Sequence, residues 1–281
     1  MNFSKKYNVS GIFFRRNLKN AMVKRADKKK RLEFFIGELE KRQLLATFLY
    51  DSGTGLLAVE TDSDYEQLSI IATSNSGNYT ISTNGTWSGS STGDVGNVGQ
   101  DLFVNSTANI SLIQITNNAA NAGTSFYFGD SLGNSFIDNL NVNYTQAATG
   151  TITVANATSF INGVSLNLTS SSNAITVNST LSANSTGCIT FNSRNISVNA
   201  NITTGSGDIA LYGNGGGVYQ TGSFQGVAFT SSSVKVNTTG GNIIVDGRGG
   251  TTGASRIYGV NITGASIQAG GNGTISIIGI S

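Results

Sequence analysis

Between residues 150 and 281, apolar and small polar residues alternate in short runs. Among them are Val164/Leu166/Leu168, Ile175/Val177, Ile189/Phe191, Ile196/Val198, Ile209/Leu211, Val234/Val236, Ile243/Val245 and Ile275/Ile277. A period of two over a few residues predicts a short strand with one buried face. Clusters of Gly, Asn, Ser and Thr separate the runs and supply turns. No stretch there has the period of a helix. Strands this short cannot bury their faces singly, so the chain must stack one pass upon the next. The pattern predicts an all-β fold.

Three segments align: Gly207-Asp208-Ile209-Ala210-Leu211-Tyr212-Gly213, Gly241-Asn242-Ile243-Ile244-Val245-Asp246-Gly247 and Gly273-Thr274-Ile275-Ser276-Ile277-Ile278-Gly279. Each reads Gly, one polar residue, an apolar run, then Gly, and the offsets are 34 and 32 residues. Such spacing marks stacked repeats. Gly217-Val218-Tyr219 and Gly259-Val260-Asn261 open related segments between them. Residues 47–145 read as a cap and the first coils, and residues 146–281 as the repetitive body. Within the cap, Thr47 to Tyr50 and Leu56 to Glu60 flank a Gly-containing loop as a hairpin. Leu68 to Ile71 and Tyr79 to Ser82 are further strands. Trp87 falls in a Gly/Ser-rich loop, where closing the end of a core is its commoner role and sugar stacking the alternative.

Composition separates a leader from this body. The chain has 36 Gly, no Pro and only 11% charged residues, and the regular alternation argues for order rather than disorder. Residues 1–45 hold 13 of the 17 Lys/Arg and 4 of the 15 Asp/Glu, a net charge of +9; residues 46–281 carry −7. The basic charge therefore belongs to the leader, residues 1–46, and not to a nucleic-acid-binding body. The leader reads as partly helical over residues 28–46 or disordered. Its apolar run is interrupted by Glu33, Glu38, Glu40, Lys41 and Arg42, so it neither spans a bilayer nor makes a standard signal peptide.

The end of the leader, Leu39-Glu40-Lys41-Arg42-Gln43-Leu44-Leu45-Ala46, resembles the Leu-Glu-Pro-Arg-x-Leu-Leu motif of planctomycete exported surface proteins, with Lys41 in place of Pro. In that family the motif follows a basic segment and precedes a β-rich repetitive body. The repeats resemble the hemagglutinin-like and autotransporter-like repeats of bacterial surface proteins. These resemblances imply export to the cell surface or outside, and a right-handed parallel β-helix. The absence of Pro suits that fold, since Pro cannot donate to a ladder. Asn at turns, as at Asn173, Asn184, Asn195, Asn201, Asn214 and Asn242, can form ladders. At the roughly 22 residues per coil that the resemblance implies, the body would make about ten coils with the usual strand spacing.

Candidate chemistry is sparse. The chain has no His and a single cysteine, Cys188, which excludes a nucleophile–His pair and reads as a small buried side chain. Asp62, Asp64 and Glu66 alternate but lack the Gly and terminal Glu of a calcium loop. Asp208 and Asp246 sit beside Gly at strand ends without the calcium-binding nonapeptide. Gly213 to Gly217 is not followed by the Lys-Ser/Thr of a phosphate loop. A polysaccharide lyase or glycoside hydrolase on a β-helix needs paired ionisable groups. From residue 150 onward the acids are Asp208 and Asp246 and the bases Arg194, Lys235, Arg248 and Arg256. Asp246 and Arg248 make the nearest approach to a pair, and Gly247 and Gly249 suggest a tight turn there.

No catalytic, cofactor-binding or metal-binding residue is expected. The reading is a non-enzymatic structural or adhesive surface protein, with the polysaccharide-cleaving enzyme as the alternative. The partners implied are surface glycans or cell-envelope components and, through the leader, export machinery, but no nucleic acid. The last run carries Ile275, Ile277 and Ile280 without a polar closing segment. An open stack presents unpaired backbone groups and an uncovered core, so continuation past this sequence or end-to-end self-association is expected.

Overall fold

The computed structural model describes residues 45–281 except 62–66, 75, 90–93, 106, 118–124, 129–133, 145–150, 216–218 and 253–256. The leader as far as residue 44, the acidic group Asp62, Asp64 and Glu66, and Gly217 lie outside the described residues. Among the described residues the chain is all-β, with no helix. Its strands form sheets of 18 and 6 members, in which most pairings are parallel.

The parallel pairings fall into three ladders. The first runs through Leu56–Thr61, Leu112–Asn117, Asn139–Tyr144, Leu166–Val177, Ile189–Val198, Ile209–Gly213, Ile243–Arg248 and Ile275–Ile280. The second joins Gln67–Ala72, Ser125–Phe128, Thr151–Val154, the later halves of Leu166–Val177 and Ile189–Val198, then Val227–Phe229 and Val260–Ile262. Because two strands run through both, these ladders count as one sheet. The third joins Ser135–Phe136, Thr158–Phe160, Leu181–Ala183, Ile202–Thr204, Lys235–Thr238 and Ser266–Ala269.

Alternation fixes which side of each strand is buried. In Leu112–Asn117, Tyr79–Thr83 and Ile243–Arg248 every second residue is buried. Ile113, Leu140, Leu166, Ile189, Ile209 and Ile243 register on one another in sequence and are at most 1% exposed. In the last strand, Ile275 and Ile277 belong to these inward columns yet are 45% and 43% exposed, because no described strand pairs beyond them.

Register reproduces the repeat read in the sequence. Ile209 pairs with Ile243 and Ile243 with Ile275, the offsets of 34 and 32. Val260 registers on Val227, which sets the Gly259 segment beside Gly226-Val227-Ala228. One detail differs. The first ladder has eight described strands, fewer than the expected ten coils. Longer connections between Gly213 and Val227 and between Arg248 and Val260 extend two passes between the first and second ladders, and the N-terminal region adds antiparallel pairs to its parallel ones.

That region is mixed: Leu45–Asp51 runs parallel to Thr86–Gly89, while its other pairs within the cap are antiparallel. Leu45–Asp51 pairs with Leu56–Thr61, Tyr79–Thr83 with Gln67–Ala72 and with Asp101–Val104, and Val95–Val98 with Asp101–Val104. Short connections permit this, as at Ser52 to Gly55, where the Asp51 carboxylate accepts the Gly53 N–H at 2.9 Å and the Thr54 hydroxyl at 2.7 Å. Leu45 and Ala46, the end of the leader motif, open the first strand, and Ala46 is fully buried. Trp87 lies in the strand Thr86–Gly89 rather than in a loop. It is 7% exposed, meets the Phe48 ring edge-on at 6.2 Å and donates from Nε1 to the Gln100 carbonyl at 2.8 Å. It closes a core and offers no sugar platform.

A side-chain ladder marks where each pass enters the first ladder. Asn139 Oδ1 accepts the Ser165 N–H at 2.8 Å, and Ser165 Oγ accepts the Cys188 N–H at 2.9 Å. Cys188 Sγ accepts from Asp208 at 3.4 Å, Asp208 Oδ1 from Asn242 at 2.6 Å, and Asn242 Oδ1 from Thr274 at 3.0 Å. Each acceptor immediately precedes the first inward residue of its strand. In the later passes the residue before it is a glycine held by space: a Cβ on Gly207 would stand 2.0 Å from the Gly187 carbonyl oxygen. The recurrent glycine, polar, apolar sequence is the mark of this corner. A second ladder leaves the second sheet face: Asn199 Nδ2 donates to Asn178 Oδ1 at 2.8 Å, and the Thr230 hydroxyl donates to Asn199 Oδ1 at 2.5 Å.

The buried columns dominate stability. Ile209→Ala, which empties part of an inward column, is expected to cost about 2–5 kcal/mol. Thr190→Ala on the outward side of the neighbouring strand should change stability by less than about 0.5 kcal/mol. Denaturant unfolding measures both, and equal midpoints for the two variants would place Ile209 outside the core.

Candidate functional site

Most of the chemically capable residues named by sequence are placed apart and given structural partners. Cys188 is only partly buried, and its sulfur is an acceptor in the entry ladder rather than an inert filler. Asp208 spends Oδ1 on the next pass in the same ladder. Asp246 and Arg248 do not flank a tight turn: both lie within the strand Ile243–Arg248, on its outward side. Gly247 between them is required by close approach, since a Cβ there would meet the Gly259 carbonyl oxygen at 2.1 Å. Among the described residues no three of His, Cys, Asp and Glu gather as metal ligands would.

The cap holds a polar cleft of about 280 Å³, lined by Gln67, Ser69, Ser82, Asn84, Gln100 and Tyr127 among others. Its amides are already engaged: Asn84 Oδ1 accepts the Gln67 N–H, and Gln100 Nε2 donates to the Asn84 carbonyl. Among the described residues, no carboxylate or cationic side chain lines it.

A second arrangement ties the cap to the parallel region. Tyr79, Phe136 and Phe160 stack face to face, with centroids 5.3 and 4.9 Å apart. The buried Tyr79 hydroxyl donates to Asp138 Oδ2 at 2.7 Å and accepts the Ile137 N–H at 3.1 Å. Burial raises the Asp138 carboxyl above its ordinary value, and the hydrogen bond from Tyr79 only partly offsets this. Burial, followed by the Asp138 charge, raises the Tyr79 phenol far above its usual range. Tyr79 therefore stays a protonated donor.

The third arrangement lies where the first ladder bends into the second. Ser193 registers on Gly213 and Gly213 on Gly247. The next residues, Arg194, Asn214 and Arg248, thus hold one corner position in three successive passes. The loop after Asn214 is clamped at Gln220, whose N–H and carbonyl meet the Asn214 side chain at 2.6 and 3.2 Å. It then lays Tyr219 against Arg248 and Phe224 against Arg194, with guanidinium carbons 3.6 and 4.6 Å from the ring centroids. Both Nε atoms are buried without a protein acceptor. Sequence reasoning named Arg194 and Arg248 but did not connect them to these rings. Arg194 and Phe224 are brought together only by pass-to-pass register.

Two variants test the cap junction. Tyr79→Phe leaves the Asp138 carboxylate and the Ile137 N–H unsatisfied and is expected to cost about 1–3 kcal/mol. A carboxyl raised in the folded state favours folding while protonated, below its unfolded value, and this contribution is lost as pH rises through the folded value. Asp138→Asn should therefore match wild type near pH 3 and gain stability over it as pH approaches 7, about three pH units above the ordinary carboxylate range. Unfolding midpoints across that range decide it; a difference that is flat with pH contradicts the burial of this charge.

Comparison with known proteins adds no relative: no family model, no curated protein and no solved structure matches this chain significantly.

Proposed function

We propose that the chain is an exported, non-enzymatic protein of the cell surface or exterior, built as a right-handed parallel β-helix and structural or adhesive in role. The observation that carries this reading is the entry ladder. It repeats one side-chain-to-backbone bond from Asn139 through Ser165, Cys188, Asp208 and Asn242 to Thr274. A side chain committed to the pass above it serves a repeating scaffold, not a reaction. Right-handedness follows from the strong preference of parallel crossover connections for that hand. Export rests on the basic leader and its motif, and surface glycans or envelope components remain the partners proposed.

The polysaccharide-cleaving alternative draws less support. A glycosidase needs two carboxyl groups facing across a cleft. Asp208 is engaged in the ladder, and Arg248, the neighbour of Asp246, lies against Tyr219.

Protease shaving of intact cells carrying a tagged full-length chain tests the reading. Loss of the tag signal is expected, and a signal protected until lysis would contradict surface export. In parallel, acidic and neutral polysaccharides incubated with purified protein should yield no new reducing ends and no unsaturated products. Turnover abolished by Asp246→Asn would establish the enzyme instead.

A further inference from the structure

The corner of Arg194, Asn214 and Arg248 has a composition found nowhere else among the described residues. The body carries four basic residues, and two of them stand here in one column. Parallel strands are about 4.8 Å apart, so two passes place the backbones of Arg194 and Arg248 about 10 Å apart along the ladder direction. Both guanidiniums lie over aromatic rings. Stacking fixes the plane of a guanidinium and leaves its in-plane N–H groups to bind a carboxylate or sulfate oxygen.

Each Nε–H is buried with no protein acceptor, so contact with a ligand falls to the terminal N–H groups of each guanidinium. Among the described residues, neither guanidinium forms an ion pair; Asp246 lies on the same outward side, two residues before Arg248. Large aromatic surface is also exposed on the two loops of this corner, where Tyr219 is 51% and Tyr258 44% exposed. Aromatic faces beside fixed cations suit a ligand with ring surfaces and repeated acidic groups.

We propose that this corner binds an anionic glycan, with Arg194 and Arg248 contacting acidic groups borne at intervals along the chain and Tyr219 and Tyr258 packing against sugar rings. The inference rests on the surface-protein reading and gives it a ligand class and an address. Asn214 holds the loop in place, its backbone in the left-handed region at φ 57° and its side chain fastened to Gln220. Arg194 and Arg248 therefore do two things: their ring contacts order the loop, and their free edges take the ligand. Carboxylated and sulfated glycans share the chemistry that this column recognises.

Titration calorimetry on the purified full-length protein tests the site with three probes: an oligogalacturonate, a heparin-derived oligosaccharide and a neutral galacto-oligosaccharide. Saturable binding of at least one anionic probe is expected, weakened by salt, with no binding of the neutral one. The stronger anionic probe identifies carboxylate or sulfate as the preferred group. Arg194→Gln and Arg248→Gln should each weaken binding about tenfold or more, the usual size for loss of a charge-assisted hydrogen bond. Arg248→Lys, which retains charge but loses the fork, should weaken it as well. If wild type binds neither anionic probe, binds the neutral one equally, or binds anions undiminished in both Gln variants, the proposal fails. Should a variant not fold, protection of Arg194 and Arg248 in wild type from phenylglyoxal by the bound probe replaces it, and unchanged modification overturns the site. Surface exposure with no glycan binding would leave the surface reading standing and remove only this site.

Discussion

The structure depends on one repeated hydrogen bond, in which a side chain at the entry of a strand accepts the backbone N–H of the equivalent residue one pass later. A parallel ladder whose continuous paired runs are two to six residues long has few bonds with which to fix register. A slip of a single residue would turn every inward side chain out. The entry ladder fixes register at the first residue of each strand, before the apolar columns engage. The chemistry of the acceptor varies from amide to hydroxyl, thiol and carboxylate. Only geometry is retained, which is why Ser165, Cys188 and Asp208 can share one role.

Around that constraint the chain distributes its costs differently at its two described ends. At the N-terminal side, antiparallel strands, Trp87 and the Tyr79–Phe136–Phe160 stack close the core, and the Asp138 carboxyl is held at the junction. At the last strand the inward isoleucines are exposed. Between them, passes of different length keep a single register because the added residues leave at one corner. One of the longer loops carries Tyr219 and Phe224 out to meet the corner arginines, so variation that leaves the stack untouched also creates its most distinctive surface.

What the sequence made legible follows from where each feature is encoded. Alternation identified Ile189, Ile209 and Ile243 as inward, and the Gly207 and Gly241 motifs placed these passes in their true register. Both signals are local and repeat. The pairing of Val260 with Val227 has no such signal, and only the ladder shows it. Asn242 reads as a turn residue in the sequence, whereas nothing in their local pattern distinguishes Asn178 and Asn199, which form the second ladder. Trp87 reads as a loop residue because glycine and serine surround it; pairing with Ala46, distant in sequence, makes it a strand residue. The Arg194–Phe224 and Arg248–Tyr219 contacts had no local signal at all.

The most direct test of the account is its register. In a Cys188→Ser background, where serine can accept as Ser165 does, Asn167→Cys and Thr190→Cys place two outward thiols on residues paired across adjacent passes. Parallel neighbours about 4.8 Å apart fall within disulfide reach, whereas a diagonal partner two residues on stands at about 7–8 Å. Mild oxidation followed by mass spectrometry should show an intrachain disulfide for Asn167→Cys with Thr190→Cys and little for Asn167→Cys with Asn192→Cys. Equal yields, or preferential bridging of the diagonal pair, would contradict the register on which the entry ladder and the corner site both depend.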